Sequence, residues 1–173
     1  MNEIINNILT RRSIRNFNNK KIEKEKLEII MKSAIYAPSA RNFQSWKFSV
    51  IQDKAIIFSL ADILKEALNR DEGYNFYNPD TLILCANNTE NPNGLADCAC
   101  ALQNIFLAAH SLNIGSVWIN QFKDARNEPK LKNALLNLGI PENYAVWGAA
   151  ALGYYEETPQ KASKNENVIN WYL

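Results

Sequence analysis

The sequence predicts an α+β sandwich in a single domain, on three observations. Helical and strand segments are interleaved without strict β-α-β alternation, which disfavours a doubly wound sheet. The 173 residues suffice for one domain with its own core but not for two. No Gly-x-Gly-x-x-Gly follows a strand anywhere in the chain, so a Rossmann-type dinucleotide site has no support.

The elements follow from local pattern. Residues 2–10 read as a short amphipathic helix with Ile4, Ile5, Ile8 and Leu9 on one face. A basic segment follows, then a helix over 23–36 with Leu27, Ile30, Met31, Ala34 and Ile35 at helical spacing, ended by Pro38. After a polar loop over 39–45, residues 46–50 alternate like a half-buried strand. Asp53 is a plausible N-cap for a helix running to about Asn69. Residues 71–80 are loop-like and aromatic. The continuous apolar run 81–86 predicts a buried strand, and 87–94 a loop. The segment 96–112, apolar nearly all round, predicts a central helix that leaves through Asn113-Ile114-Gly115. A short strand over 116–119, a surface helix over 129–138 with Pro129 in its first turn, and a strand over 144–152 complete the series.

Composition narrows the function. The chain is 47% apolar and 21% charged, ordinary globular values that argue against extensive disorder. Its net charge of +1 disfavours a nucleic-acid binder, which would carry a strong basic excess. No stretch approaches the ~20 apolar residues that span a bilayer, and the N-terminus has no apolar signal-like core. A cytoplasmic protein is expected. The cysteines, Cys85, Cys98 and Cys100, are odd in number and match no disulfide framework.

The tail is polar until Val168, Ile169, Trp171, Tyr172 and Leu173. An apolar cluster at a chain end docks either on its own subunit or on a second one, as an exchanged arm; both readings stand at this point.

Side-chain chemistry is sparse. His110 is the single histidine and has no His or Cys partner at metal spacing. Cys98 and Cys100 point to different helix faces, which is poor metal geometry. The carboxylate pairs Asp71-Glu72 and Glu156-Glu157 lie in polar stretches and read as solvated. With no convincing nucleophile, metal site or acid-base pair, an enzyme here would rely on a cofactor.

Two constellations remain. Arg11-Arg12-Ser13-x-Arg15 places three guanidinium groups and a hydroxyl at the C-terminal end of a helix. Arginine offers bidentate donors that suit phosphate, and alternate side chains of extended chain can converge on one anion. The bland alternative is a solvated basic face. Pro38-Ser39-Ala40-Arg41-Asn42-Phe43-Gln44-Ser45-Trp46 joins a helix stop, hydroxyls, amides and aromatics. Amides both donate and accept, which suits a planar heterocycle edge that alternates C=O, N–H and C=O. The bland alternative is a polar turn before a strand.

Together, Arg11-Arg12-Ser13-Ile14-Arg15-x-Phe17 and Ala37-Pro38-Ser39-Ala40-x-Asn42-x-Gln44-x-Trp46 closely resemble the FMN-dependent nitroreductase family. Leu107-Ala108-Ala109, Gly115-Ser116-x-Trp118-Ile119 and Leu152-Gly153-Tyr154 extend the likeness over nearly the whole chain. The resemblance implies a mainly antiparallel sheet flanked by helices in one domain, residues 1–173. It also implies a homodimer with FMN at the interface and an exchanged C-terminal arm over 155–173. Arg11, Arg12, Ser13 and Arg15 would hold the ribityl phosphate and the flavin's polar edge. Pro38, Ser39, Asn42 and Gln44 would reach the flavin from the other subunit, and the backbone around Trp118, Ile119 and Asn120 would line the ring. Lys161 and Lys164 are the basic residues of the arm that could complete the phosphate site, with Lys164 the better fit. Relatives often have Arg there, so bidentate geometry is lost. Ser45 stands where many relatives have Pro, which makes the loop less rigid. The chain is short for the family, lacking a helical insertion over the substrate face.

The implied activity is transfer of electrons from NADH or NADPH, through FMN, to a nitroaromatic, a quinone or another flavin in a ping-pong cycle, with no obligatory catalytic side chain. Rival readings are a flavin-binding redox protein with little turnover, an oxidase or dehalogenase on the same fold, and a phosphate- or RNA-binding module. Partners are then small molecules and a second copy of the chain, with neither nucleic acid nor membrane.

Overall fold

The computed structural model describes residues 2–160 and 163–173. Its helices are α1 (Glu3–Thr10), α2 (Lys24–Ile35), α3 (Lys54–Ala67), α4 (Gly94–Ser111) and α5 (Pro129–Asn137). Its strands are β1 (Trp46–Ile51), β2 (Thr81–Asn88), β3 (Gly115–Ile119) and β4 (Tyr144–Gly153). Local chemistry sets the helix ends. Asn2 Oδ1 accepts the Ile5 N–H and starts α1. Asp53 accepts from Ala55 and Ile56 and starts α3. Pro129 opens α5 without sacrificing a donor. Asn113 at φ 58° and Gly139 at φ 79° turn the chain out of α4 and α5. Behind each, the next amide bonds back into the last helical turn: Ile114 to Ala109 and Ile140 to Leu135.

The four strands form one antiparallel sheet in the order β1-β2-β4-β3. Period-2 alternation splits the core into two layers. Leu82, Leu84 and Ala86 of β2 face α3 and α5, whereas Ile83 and Cys85 face α2 and α4. Both faces of β2 are thus covered, which is why its sequence is continuously apolar. The register of β2 on β4 slips between Cys85 and Ala86, leaving Trp147 as the extra residue of a bulge. Trp147 and Gly148 then both face α4. A Cβ at Gly148 would lie 2.9 Å from Leu102 and from the Trp118 ring, so only glycine admits that indole.

Two apolar surfaces stay largely open among the described residues. Helix α1 has no buried residue, and Ile4 is 70% exposed. At the other end of the chain, Val168, Ile169, Trp171, Tyr172 and Leu173 are also exposed. Of the two readings of the tail, docking on its own subunit is therefore not what the described residues do.

Candidate functional site

The basic segment leaves α1 along the free edge of the sheet. Strand β3 is the last in the order, and among the described residues its outer edge is bridged, in parallel, by Ser13 at Ser116. The Ile14 N–H donates to the Ser116 carbonyl at 3.0 Å. Ile14 is buried and anchors the segment, so its odd-numbered neighbours are presented on the other side. Main-chain N–H and C=O alternate in direction along a strand. Ser116 faces the edge, and so do the main-chain groups of Trp118, two residues on. The Trp118 ring itself packs on Gly148 and, at 6.0 Å between centroids, on Phe106. The edge backbone is thereby left open next to the arginines.

Those arginines have no acidic partner among the described residues' ion pairs. The Arg11 guanidinium lies 5.8 Å from the Phe106 ring centre, and Arg15 lies 5.8 Å from that of Tyr77. Burial, and after it the charge of Arg12, pulls Arg11 below the ordinary guanidinium value. Arg12 turns back, donating from Nη1 to the carbonyls of Leu9 (2.8 Å) and Arg11 (2.7 Å) at the negative end of α1. Arg11 and Arg12 thus line one cleft and Ser13 and Arg15 the next, and Arg12 also caps the helix with part of its fork. His110 ties α1 to α4. The Thr10 hydroxyl donates to the Asn6 carbonyl at 2.7 Å, so it accepts from His110 Nε2 at 2.9 Å.

Beside the open edge lies a pocket of about 140 Å³ lined by Tyr74, Phe76, Tyr77, Trp118, Ile119 and Gln121 among others. Left-handed backbone at Phe76, Tyr77 and Asn78 (φ 56°, 68° and 49°) shapes its aromatic wall. The Tyr74 hydroxyl is buried without a partner, and burial pushes it up to about 12. Asn120 is exposed at the rim, its N–H held by Gln121 Oε1.

The second constellation sits elsewhere. Ala40–Asn42 form a short 3-10 turn, and φ is positive at Arg41 (52°), Asn42 (57°) and Gln44 (48°). Pro38 is exposed, and the Ser39 hydroxyl accepts the Gln44 N–H at 3.1 Å. Gln44 Nε2 donates to Asn42 Oδ1 at 2.8 Å. The exposed pair therefore offers an amide donor from Asn42 and an amide oxygen from Gln44. This loop is tied to Asp97 in the first turn of α4, whereas Arg11 meets Phe106 nearer the other end. At 1.5 Å per residue those attachment points are ~14 Å apart.

From the arm, Tyr155, Glu157, Thr158 and Pro159 line the clefts at the arginines. Lys164 is exposed and lines neither, and Lys161 lies outside the described residues. Cys98 is buried and Cys100 exposed, as their helical spacing predicts. What sequence reasoning missed is Asp97, a buried carboxylate inside a segment read simply as apolar, together with the aromatic wall at 73–77.

A model of the Nitroreductase family matches residues 8–154. The chain belongs to the nitroreductase family. The matched range spans both constellations and β3, and stops where the arm begins. A protein of Archaeoglobus fulgidus, provisionally named NADH dehydrogenase/NAD(P)H nitroreductase, is 35% identical over 164 residues, covering 89% of this chain and 86% of the relative. A nitroreductase from Bacteroides fragilis, solved with bound FMN, superposes with a TM-score of 0.93 at 30% identity over 100% of both chains. One from Desulfitobacterium hafniense, also with FMN, gives 0.92 at 27% over 100% of both chains. The family fold expected from the two motifs, a mainly antiparallel sheet between helices, is the fold present.

Proposed function

We propose that the chain is an FMN-dependent oxidoreductase that works as a homodimer, takes reducing equivalents from NADH or NADPH, and delivers them to a small acceptor in ping-pong order. Nitroaromatics, quinones and free flavins are the acceptor classes. The observation that carries this is the pair of donor sets on α4. Cations without acidic partners among the described residues flank an open strand edge near Phe106, and a donor–acceptor amide pair sits beside Asp97, the two attachment points being ~14 Å apart along the helix. Two copies can bring one set of each kind to a shared ligand.

These residues fit FMN. Arg11, Arg15 and the Ser13 hydroxyl suit a phosphate, and Arg12 reinforces the charge from the helix end. The free donor of Asn42 and the free oxygen of Gln44 match a ring edge that alternates acceptors and a donor, with Pro38 and Ser39 shaping their turn. The edge-facing main chain at Trp118, continued by Ile119 and Asn120, would line the ring. Lys164 of the arm, with Lys161, would reach the phosphate from a partner. The bare α1 face and the exposed apolar tail support a second copy, since contiguous apolar surface is unfavourable in water.

FMN, when bound, would supply the redox chemistry. The chain supplies position and charge. Arg11 and Arg15 lower the energy of negative charge at the site, the tight turn over 39–45 holds the amides, and the aromatic pocket beside Trp118 admits a flat molecule.

The visible spectrum of the purified protein is the first test, followed by anaerobic stopped-flow mixing with NADH and NADPH and by light scattering for the mass. A yellow dimer bleached by either donor is expected. Colourless protein that takes up no FMN, or a yellow form bleached by neither donor, would overturn the proposal.

A further inference from the structure

Both ends of the 39–45 turn are held by one hydrogen-bonded chain. The Asp97 carboxylate, 4% exposed, accepts the Ala40 N–H at Oδ1 (2.9 Å) and an Asn91 amide hydrogen at Oδ2 (3.1 Å). The second Asn91 amide hydrogen goes to Ser45 Oγ (3.1 Å), whose own hydrogen goes to Asn87 Oδ1 (2.8 Å). Asn91 Oδ1 is engaged by the Asn93 N–H at 3.0 Å. The hydrogens of Ala40, Asn91 and Ser45 each have one destination, whereas the buried Asn87 Nδ2 has no partner among the described residues.

Burial of an ionised carboxylate is unfavourable unless hydrogen bonds replace its water. Asp97 has no cation partner. Its stabilisation comes from the two N–H donors and from its place in the first turn of α4. The turn it holds is itself unfavourable, with three non-glycine residues in left-handed backbone at Arg41, Asn42 and Gln44. Such conformations persist only where surrounding contacts over-determine them. Within the turn, the bonds to Ser39 and Ala40 are local. The side-chain ties to the rest of the fold run through Asp97 and Asn91, with one further bond from Ser45 to Asn87.

We propose that Asp97 and Asn91 are positioning residues that clamp both ends of the 39–45 turn to the first turn of α4 and so present the Asn42 and Gln44 amides to the ligand. This rests on the proposed function for the identity of the ligand, but the clamp itself is readable without one.

Hydrogen exchange of the FMN-free full chain reads the clamp directly. Asp97→Ala should speed exchange across 40–45 by roughly ten- to hundredfold, the value of hydrogen bonds to a charged group. It should weaken FMN binding, measured by fluorescence quenching, by roughly tenfold. Asp97→Asn sets one amide against the Asn91 amide and should show the same defects. Pairing it with Asn91→Asp restores a donor–acceptor match to residue 97 and should recover the loss at 40–42, but it removes the hydrogen that Asn91 gives to Ser45 Oγ, so no recovery is expected at residue 45. Asp80→Asn is the control. That buried carboxylate accepts from Ile22, Gln52 and Thr81, so its loss should lower stability without touching exchange at 40–45 or FMN affinity. Wild-type exchange at 40–45 in Asp97→Asn, or no recovery at 40–42 in the double variant, would overturn the clamp. Failure of the wild type to bind FMN would overturn the proposed function instead, leaving the exchange result to decide the clamp.

Discussion

Gly115 is where the fold and the cation site are most tightly coupled, and adding one methyl group there tests that coupling. A Cβ at Gly115 would stand 2.8 Å from Tyr155 Cδ1 and 2.9 Å from both Cβ and Cγ1 of Ile14. Ile14 Cβ is a stem atom and cannot swing aside, and Ile14 is 3% exposed. Relief requires the 11–15 segment to lift from β3 and stretch the Ile14–Ser116 hydrogen bond. Overpacking of this kind costs about 1–3 kcal/mol. For a domain of this size that corresponds to a fall in Tm of about 2–12 °C. Arg11, Ser13 and Arg15 ride on the displaced segment, so FMN affinity should drop roughly five- to thirtyfold if the charge-assisted bonds lose ~1–2 kcal/mol. Thermal melts of the FMN-free protein and fluorescence-quench titrations with FMN measure the two effects separately. Gly73→Ala, where a Cβ meets nothing within 4 Å, should change stability by no more than ~0.5 kcal/mol. A Gly115→Ala protein with wild-type melting and wild-type FMN affinity would refute the packing argument. Reduced melting with unchanged affinity would refute the claim that this segment seats the phosphate.

Three further outcomes are expected. Burial, followed by the charges of Arg11 and Arg12, lowers the His110 pKa below its ordinary value. The unfolded chain then binds the proton more readily, so this contribution to stability is complete above about pH 6.5 and is lost as pH falls through the folded-state value. His110→Gln should flatten that acid limb of the stability curve, and the single imidazole NMR signal should titrate at higher pH once an anion occupies the arginines. Tyr74→Phe removes a buried hydroxyl without a partner and should raise FMN-free stability by about 1 kcal/mol in urea unfolding; destabilisation would mean the hydroxyl has a partner in solution. Deleting residues 168–173 removes the exposed apolar tail and should shift the light-scattering mass toward a monomer and weaken FMN binding, whereas an unchanged dimer of unchanged affinity would rule out an exchanged arm.

Local chemistry made most elements legible. The apolar run at 81–86 grew only by two polar residues in β2, and helix 96–112 began two residues earlier, at Gly94, in α4. Asp53, Pro129 and Asn113 mark their helix ends because capping is decided by neighbours in the chain. The two motifs were legible for the same reason: their residue types suit phosphate and heterocycle edges whatever the fold around them. The resemblance they carry also extends to the family and the sheet type.

What the chain could not announce depends on distance in space. Arg12 was grouped with Arg11 and Arg15, yet its guanidinium turns onto carbonyls of α1, because helical geometry and the burial of Ile14 set which way each residue faces. Asp97 looked like one polar residue in an apolar helix. Only the approach of Ala40, 57 positions away in sequence, makes it a clamp. The bulge at Trp147 and the free edge of β3 likewise arise from strand pairing. Sequence by itself determined the elements, the family and the chemistry of the donor groups, since these are short-range properties. The tertiary structure alone decided that one donor set attaches at Asp97 and the other at Phe106 of α4 and that the tail lies exposed among the described residues, because both are consequences of how distant segments pack.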